Sequence, residues 1–62
     1  MNESKIETPR FRLAERVRVV ASGRTGAVCA YEVRPGREPR YYIRGEERPW
    51  ESWHGESELV AS

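Results

Sequence analysis

Within residues 15–20, apolar and charged side chains alternate, because Val17 and Val19 follow Arg16 and Arg18 in turn. Because successive side chains of a strand point to opposite faces, this period of two predicts a half-buried β-strand. The two valines should face a core and the two arginines should face solvent. The strands predicted further along the chain can extend a sheet that starts with this one.

A second strand is predicted over residues 26–33, with Val28 and Ala30 alternating towards the core. The segment 22–26 (SGRTG) separates it from the first strand. The two glycines of this segment permit the positive φ angles that a short chain reversal needs. The two strands should therefore form an antiparallel hairpin.

Three further short strands are predicted along the rest of the chain. Residues 34–39 contain two prolines, which lack the amide donor of a strand ladder, so a loop is expected there. Strands follow at 40–44, 50–54 and 59–60, with a single helical turn over 55–58. Short strands separated by frequent turns predict an all-β fold, namely a single small five-stranded antiparallel barrel.

The expected core is drawn from the inward positions of these strands. It comprises Phe11, Leu13, Val17, Val19, Val28, Ala30, Tyr41, Ile43, Leu59 and one tryptophan. Trp50 and Trp53 are three residues apart, so they cannot share one face of a regular strand. Residues 1–9 are polar and without periodicity, which predicts a flexible tail before a barrel that spans 10–62.

The length of 62 residues indicates one small domain, whose core supplies only about 3–5 kcal/mol of stability. The chain contains one cysteine and one histidine, which excludes an internal disulfide and a four-ligand zinc site built from this chain alone. No segment resembles a signal peptide or a membrane span, so a cytoplasmic protein without a membrane partner is expected. Oligomerisation or docking would add stability.

Charge is unevenly distributed, although the net charge is only +1. Residues 9–44 contain nine arginines and three glutamates, whereas residues 45–62 contain one arginine and five glutamates. Arginine offers a planar fork that fits phosphates and stacks on aromatic rings. The basic part of the chain is therefore the first place to look for a binding surface.

An outward face of arginine and aromatic side chains is the main candidate site. Such a face can bind phosphates through arginine and stack bases on aromatic rings, which favours nucleic acid as the partner, with a protein partner as the alternative. The ligand-binding candidates are Arg16, Arg18, Arg40, Tyr42, Arg44, Trp50 and Trp53. In the competing interpretation, Glu15, Glu32 and Glu51 pair with these arginines across strands and leave little net field.

The order of motifs resembles that of an SH3-like barrel over residues 11–61. It consists of an RVRV strand, a Ser-Gly turn, a Gly-x-Val strand, an exposed loop, a Tyr-rich strand and a Glu-Ser-Glu-Leu turn. The KOW and Tudor-like modules of this group present a basic or aromatic surface to nucleic acid or to proteins. The positions that match their pattern are Val17, Val19, Gly23, Gly26 and Val28. This resemblance implies a non-catalytic binding module.

The segment 11–23 (FRLAERVRVVASG) is also similar to the start of the plasmid-borne type II dihydrofolate reductases, short barrels that form tetramers around an active-site pore. This resemblance implies an alternative function, the NADPH-dependent reduction of dihydrofolate by a homotetramer. The chain has Val19 and Val20 where that family has a lysine, and ESWH over residues 51–54 where it has Val-Gln-Ile-Tyr. The catalytic candidates in this alternative are Ser52, Trp53 and His54.

Other catalytic chemistry is not recognised in the sequence, which shows no nucleophile motif beside a base, no phosphate-binding loop and no metal-ligand spacing. Histidine is the side chain that most readily carries protons near neutral pH, but His54 is expected to be a surface residue packed on a tryptophan. Cys29 stands in a strand among small residues and is expected to be a half-buried structural thiol. These features favour a binding module over an enzyme, with no cofactor.

Overall fold

The structure is a computed structural model that describes residues 9–47 and 49–62. It contains five strands and one 3₁₀-helix: β1 (Arg16–Val19), β2 (Thr25–Glu32), β3 (Arg40–Gly45), β4 (Glu51–Gly55), the helix (Glu56–Glu58) and β5 (Leu59–Ala61). The predicted all-β antiparallel fold is confirmed, and each strand begins and ends within about one residue of its predicted limits. The tail expected over residues 1–9 lies, apart from Pro9, outside the described residues.

The strands form one sheet in the order β4-β3-β2-β1-β5, and all neighbouring strands are antiparallel. Among the described residues no ladder joins β4 to β5, so the sheet is barrel-like but is not closed by hydrogen bonds. The 3₁₀-helix lies between these end strands, where Glu56 N donates to Pro39 O (2.9 Å) and Val20 N donates to Glu58 O (2.9 Å). No helix in the described ranges is long and apolar enough to cross a membrane.

The core lies on the inner face of the sheet, which we define as the side that carries the buried side chains. These are Phe11, Val17, Val19, Val28, Tyr41, Ile43 and Leu59, all of them predicted. Trp50 is half-buried and packs against them, so it is the tryptophan that completes the core. The period of two is obeyed most clearly in β1 and β3, where the residues between the buried positions are exposed or half-buried.

Tyr41 joins the segment before β1 to the core. Its ring packs edge-on against Phe11, with 5.4 Å between the ring centroids. Its hydroxyl accepts a hydrogen bond from Arg10 N (2.9 Å) and donates one to Glu56 Oε2 (2.6 Å). Burial, and then the hydrogen bond to Glu56, raise the pKa of Tyr41. The buried ring therefore has partners at its polar end.

A β-bulge in β2 changes which residues face the core. Val28 pairs with Ile43 on the inner face, but Ala30 pairs with Tyr42, whose side chain is on the other face. Directly opposite residues of an antiparallel pair share a face, so Ala30 points outwards. The prediction that Ala30 shares the inner face with Val28 is therefore wrong. Tyr31, opposite Tyr41, takes the inward direction instead.

Two further expectations about burial are wrong. Cys29 is the extra residue at the bulge, and its thiol is exposed rather than half-buried. Leu13 is 58% exposed and does not belong to the core. A tight turn precedes β1, where Ala14 has a φ of 72° and donates its N–H to Val28 O (2.7 Å). This turn breaks the alternation between Phe11 and β1 and leaves Leu13 in solvent.

Candidate functional site

Six of the seven predicted ligand-binding residues lie together on the outer face, the side of the sheet opposite the core. The ladders place Arg16 level with Arg44 through Ala27, and Tyr42 directly opposite Trp53. On β1 and β3 the outward residues alternate with fully or almost fully buried ones. The outer face thus carries Arg16, Arg18, Arg40, Tyr42, Arg44 and Trp53.

Tyr42 and Trp53 form an aromatic pair across β3 and β4. Their ring centroids are 5.3 Å apart, and the rings are tilted by 48°. Trp53 is 44% exposed. The Tyr42 hydroxyl donates a hydrogen bond to the Glu51 carboxylate, which raises the pKa of Tyr42. Because Ala30 is the small neighbour of Tyr42 on β2, the aromatic pair is not covered from that side.

Two of the four outer-face arginines are paired with carboxylates. Arg16 Nε lies 2.7 Å from Glu46 Oε2, and Arg44 Nε lies 3.5 Å from Glu51 Oε2. The cross-strand pair expected for Glu51 is therefore confirmed. Both arginines are largely exposed, and exposed pairs of this kind contribute roughly 0.2–1 kcal/mol. A phosphate can compete for either guanidinium at small cost.

Arg18 and Arg40 make no ion pair within the described part of the chain. Glu32 lies opposite Arg40 in the ladder, yet its carboxylate contacts Arg34 Nη2 instead, at 2.9 Å. Glu15 accepts a backbone N–H from the turn before β1 and pairs with none of the arginines that the structure describes. The interpretation that glutamates neutralise the whole arginine face is thus wrong for these two positions.

Trp50 is the one ligand-binding candidate that lies away from the outer face. Its indole edge packs against Gly45 and leaves no room for a Cβ there. The Arg24 guanidinium lies over its ring, 5.8 Å from the centroid. Trp50 lines one side of an open cleft of about 290 Å³ beside the β1–β2 turn, together with Ser22, Gly23, Arg24, Thr25 and Glu47.

The candidates for the reductase alternative are divided between the two faces of β4. Ser52 and His54 point to the inner face, opposite Ile43 and Tyr41, whereas Trp53 points to the outer face. His54 packs on a tryptophan as predicted, since its ring meets the Trp50 ring edge-on with 6.4 Å between centroids. The expectation that it is a surface residue is wrong, because its side chain is only 17% exposed.

A serine, a histidine and a carboxylate are linked on the inner side of β4. Ser52 Oγ is 2.6 Å from His54 Nε2, and His54 Nδ1 is 2.8 Å from Glu58 Oε1. The expectation that no nucleophile stands beside a base is therefore wrong. Ser52 and His54 are two positions apart on β4, so their side chains lie on the same face of the strand. The 3₁₀-helix brings Glu58 back over β4, a contact that no motif in the sequence indicates.

The partners of His54 determine where its ring proton lies. An ionised carboxylate only accepts hydrogen bonds, so His54 Nδ1–H donates to Glu58. In the neutral ring, Nε2 is then the acceptor for the Ser52 hydroxyl. The hydrogen bond from His54, and then one from Gly55 N (3.3 Å), lower the pKa of Glu58.

The lowered pKa of Glu58 predicts a pH-dependent contribution to stability. A carboxyl whose pKa is lower in the folded state stabilises the fold above its ordinary value of 4.5, and this contribution is lost as the pH falls through the folded-state value. Glu58→Gln should therefore lower the melting temperature at neutral pH, and the deficit should shrink in acid. Thermal unfolding over a pH series measures this. Glu47→Gln is the control, and a deficit for Glu58→Gln that is constant with pH would contradict the prediction.

Among the described residues, no group of three or more His, Cys, Asp or Glu side chains is arranged to hold a metal ion. No protein-family model, curated protein or solved structure matches the chain. The function must therefore be inferred from the side chains that the fold brings together, and these form two sites, the outer face and the inner side of β4.

Proposed function

We propose that the protein is a small binding module, resembling SH3-like barrels in sequence, that holds single-stranded nucleic acid on the outer face of its sheet. The observation that carries the proposal is the Tyr42–Trp53 pair, in which Tyr42 is half-buried and Trp53 is exposed, with Arg40 and Arg44 on either side of Tyr42 along β3. Aromatic rings stack bases, and arginines contact phosphates.

The spacing of these residues suits an extended strand of nucleic acid. Arg40, Tyr42 and Arg44 follow one another at two-residue intervals on β3, so neighbouring positions are about 7 Å apart. A chain that crosses the face can thus place a base on the aromatic pair and phosphates on both sides of it. Duplex bases are stacked on each other and cannot use this pair, which favours a single strand.

Removing the Trp53 ring should weaken binding. Stacking on an aromatic side chain is worth about 1–3 kcal/mol per base, so Trp53→Ala should lower the affinity for fluorescein-labelled oligothymidylate or oligouridylate by roughly 5- to 150-fold. Tyr31→Ala is the matched control, because Tyr31 is as exposed (46%) but pairs with Tyr41 on the other face. Fluorescence anisotropy measures both affinities. Equal affinities for the two variants would contradict the proposal.

The arginine contacts should appear in the salt dependence. Each phosphate contact in a single strand contributes about 0.7 to the slope of log affinity against log salt. Arg40→Gln should therefore reduce both the affinity and this slope, whereas Arg37→Gln, a change in the exposed loop before β3, should leave them unchanged. A slope that is insensitive to Arg40 would remove this residue from the proposed interface.

Native mass spectrometry separates this proposal from the alternatives predicted from the sequence. A monomer that binds the oligonucleotide supports the proposed module. A tetramer that reduces dihydrofolate with NADPH would support the reductase alternative instead. A stable homo-oligomer, or a complex with a protein partner, that buries Trp53 and excludes the oligonucleotide would assign the outer face to protein docking.

A further inference from the structure

The Ser52–His54–Glu58 cluster is separate from the outer face and has the order of groups that nucleophilic catalysis uses. A hydroxyl contacts one ring nitrogen of His54 (2.6 Å), and a carboxylate contacts the other (2.8 Å). A base that is oriented by a third group and touches a hydroxyl is the arrangement that activates serine. We propose that these three residues form an acyl-transfer site for activated carboxylic esters.

The fold holds all three groups in place. Ser52 and His54 are fixed by the β3–β4 ladder, in which they lie opposite Ile43 and Tyr41. Glu58 is held by its second oxygen, which accepts the Gly55 N–H. The His54 side chain is only 17% exposed, so water competes weakly for its ring nitrogens. The serine nevertheless remains half-buried rather than buried, and it lies on an end strand of the open sheet.

The reaction uses water as its only co-reactant. Ser52 Oγ bonds to the carbonyl carbon of the ester while its proton moves to His54 Nε2. The bond between that carbon and the leaving oxygen then breaks, and His54 returns the proton to the leaving group. Water, deprotonated by His54, attacks the acyl-serine, releases the carboxylic acid and restores the Ser52 hydroxyl. The proposed substrates are esters of acidic alcohols such as phenols, because these leaving groups depart readily.

The test is the reaction of p-nitrophenyl acetate with the full chain carrying Cys29→Ser, because the exposed Cys29 thiol would itself accept an acetyl group. We expect nitrophenol release above the buffer rate and a single acetyl group on Ser52, located by peptide mass spectrometry. Ser52→Ala should abolish both, and His54→Ala should lower the rate by about 100-fold or more. Ser57→Ala is the matched control, because the Ser57 hydroxyl donates to the Glu38 carboxylate (3.2 Å) and has no histidine partner.

A second variant guards against misfolding of Ser52→Ala. Ser52→Cys should keep the folded circular dichroism spectrum and accept the acetyl group on sulfur at the same position. Acetylation that persists in Ser52→Ala, or that is found only on amines, would overturn the proposal. Nitrophenol release that needs His54 but not Ser52 would also overturn it, since the histidine itself would then be the nucleophile.

Glu58 is a positioning residue in this proposal, and its role has its own readout. The groups that face His54 are Glu58 from the 3₁₀-helix, Ser52 on its own strand, Tyr41 from β3 and the uncharged Trp50 ring. Glu58→Gln removes the charged acceptor of the His54 Nδ1–H, so kcat should fall while KM stays unchanged, and Glu58→Asp should restore part of the rate. Unchanged kcat in Glu58→Gln would assign Glu58 a structural role only.

Discussion

Ile43→Ala should leave a large share of the protein unfolded at room temperature. Ile43 is fully buried on β3, in register with Val28 on β2 and Ser52 on β4. Truncation of a buried isoleucine to alanine costs about 2–5 kcal/mol, because the lost contacts leave a cavity. The single core of so small a domain supplies only about 3–5 kcal/mol. The substitution therefore removes most of the margin.

Urea unfolding followed by tryptophan fluorescence and circular dichroism measures this effect. Val20→Ala is the matched control, since Val20 is 60% exposed and its truncation should change the unfolding free energy by only about 0.5 kcal/mol. If Ile43→Ala unfolded at the same urea concentration as the unsubstituted protein, stability would have to come from a source other than this core, such as association between copies.

The strands were predictable because alternation and burial agree in most of them. Val17 on β1, and Tyr41 and Ile43 on β3, stand between charged or polar residues, so only one face of each strand can be buried. The same pattern placed the outer-face arginines correctly. Local sequence is sufficient for such positions, because the side chain and its two neighbours already determine the preferred face.

The bulge in β2 was not predictable from the same pattern. The segment 27–31 (AVCAY) contains no charged residue, so a one-residue shift in its pairing with β3 turns no charged side chain towards the core. The position of the extra residue is determined by pairing with β3, which brings Tyr31 opposite Tyr41 and Ala30 opposite Tyr42. The exposure of the aromatic pair on the outer face thus depends on a tertiary feature.

The inner site depends on contacts between residues that the sequence does not link by any motif. Ser52 and His54 could be placed on one strand face from their spacing, but the position of Glu58 depends on how the 3₁₀-helix crosses from β4 to β5. The ion pair of Arg16 with Glu46 likewise joins β1 to the residue after β3. Such partners are determined by the packing of the sheet, which alternation alone does not describe.

Gly26→Ala should destabilise the protein by separating β2 from β3. Gly26 is buried and lies opposite Gly45. A Cβ at this position would lie 2.8 Å from Ile43 Cγ2 and 2.9 Å from the Arg44 carbonyl carbon, closer than side-chain carbons approach in proteins. The Arg44 atom is backbone, so the strand itself must move. Overpacking of this kind costs about 1–3 kcal/mol, a large part of the stability of so small a domain.

Gly36→Ala is the control for this prediction, because its Cβ would meet nothing within 4 Å and its cost comes only from the backbone φ of 75°. Amide hydrogen exchange distinguishes the two changes. Gly26→Ala should lower protection along the β2–β3 ladder, including the amides of Ala27 and Arg44, while Gly36→Ala should lower stability without a selective loss there. Retained protection at this ladder in Gly26→Ala would mean that the two strands can accommodate a methyl group, and that the close approach at Gly26 does not fix their spacing.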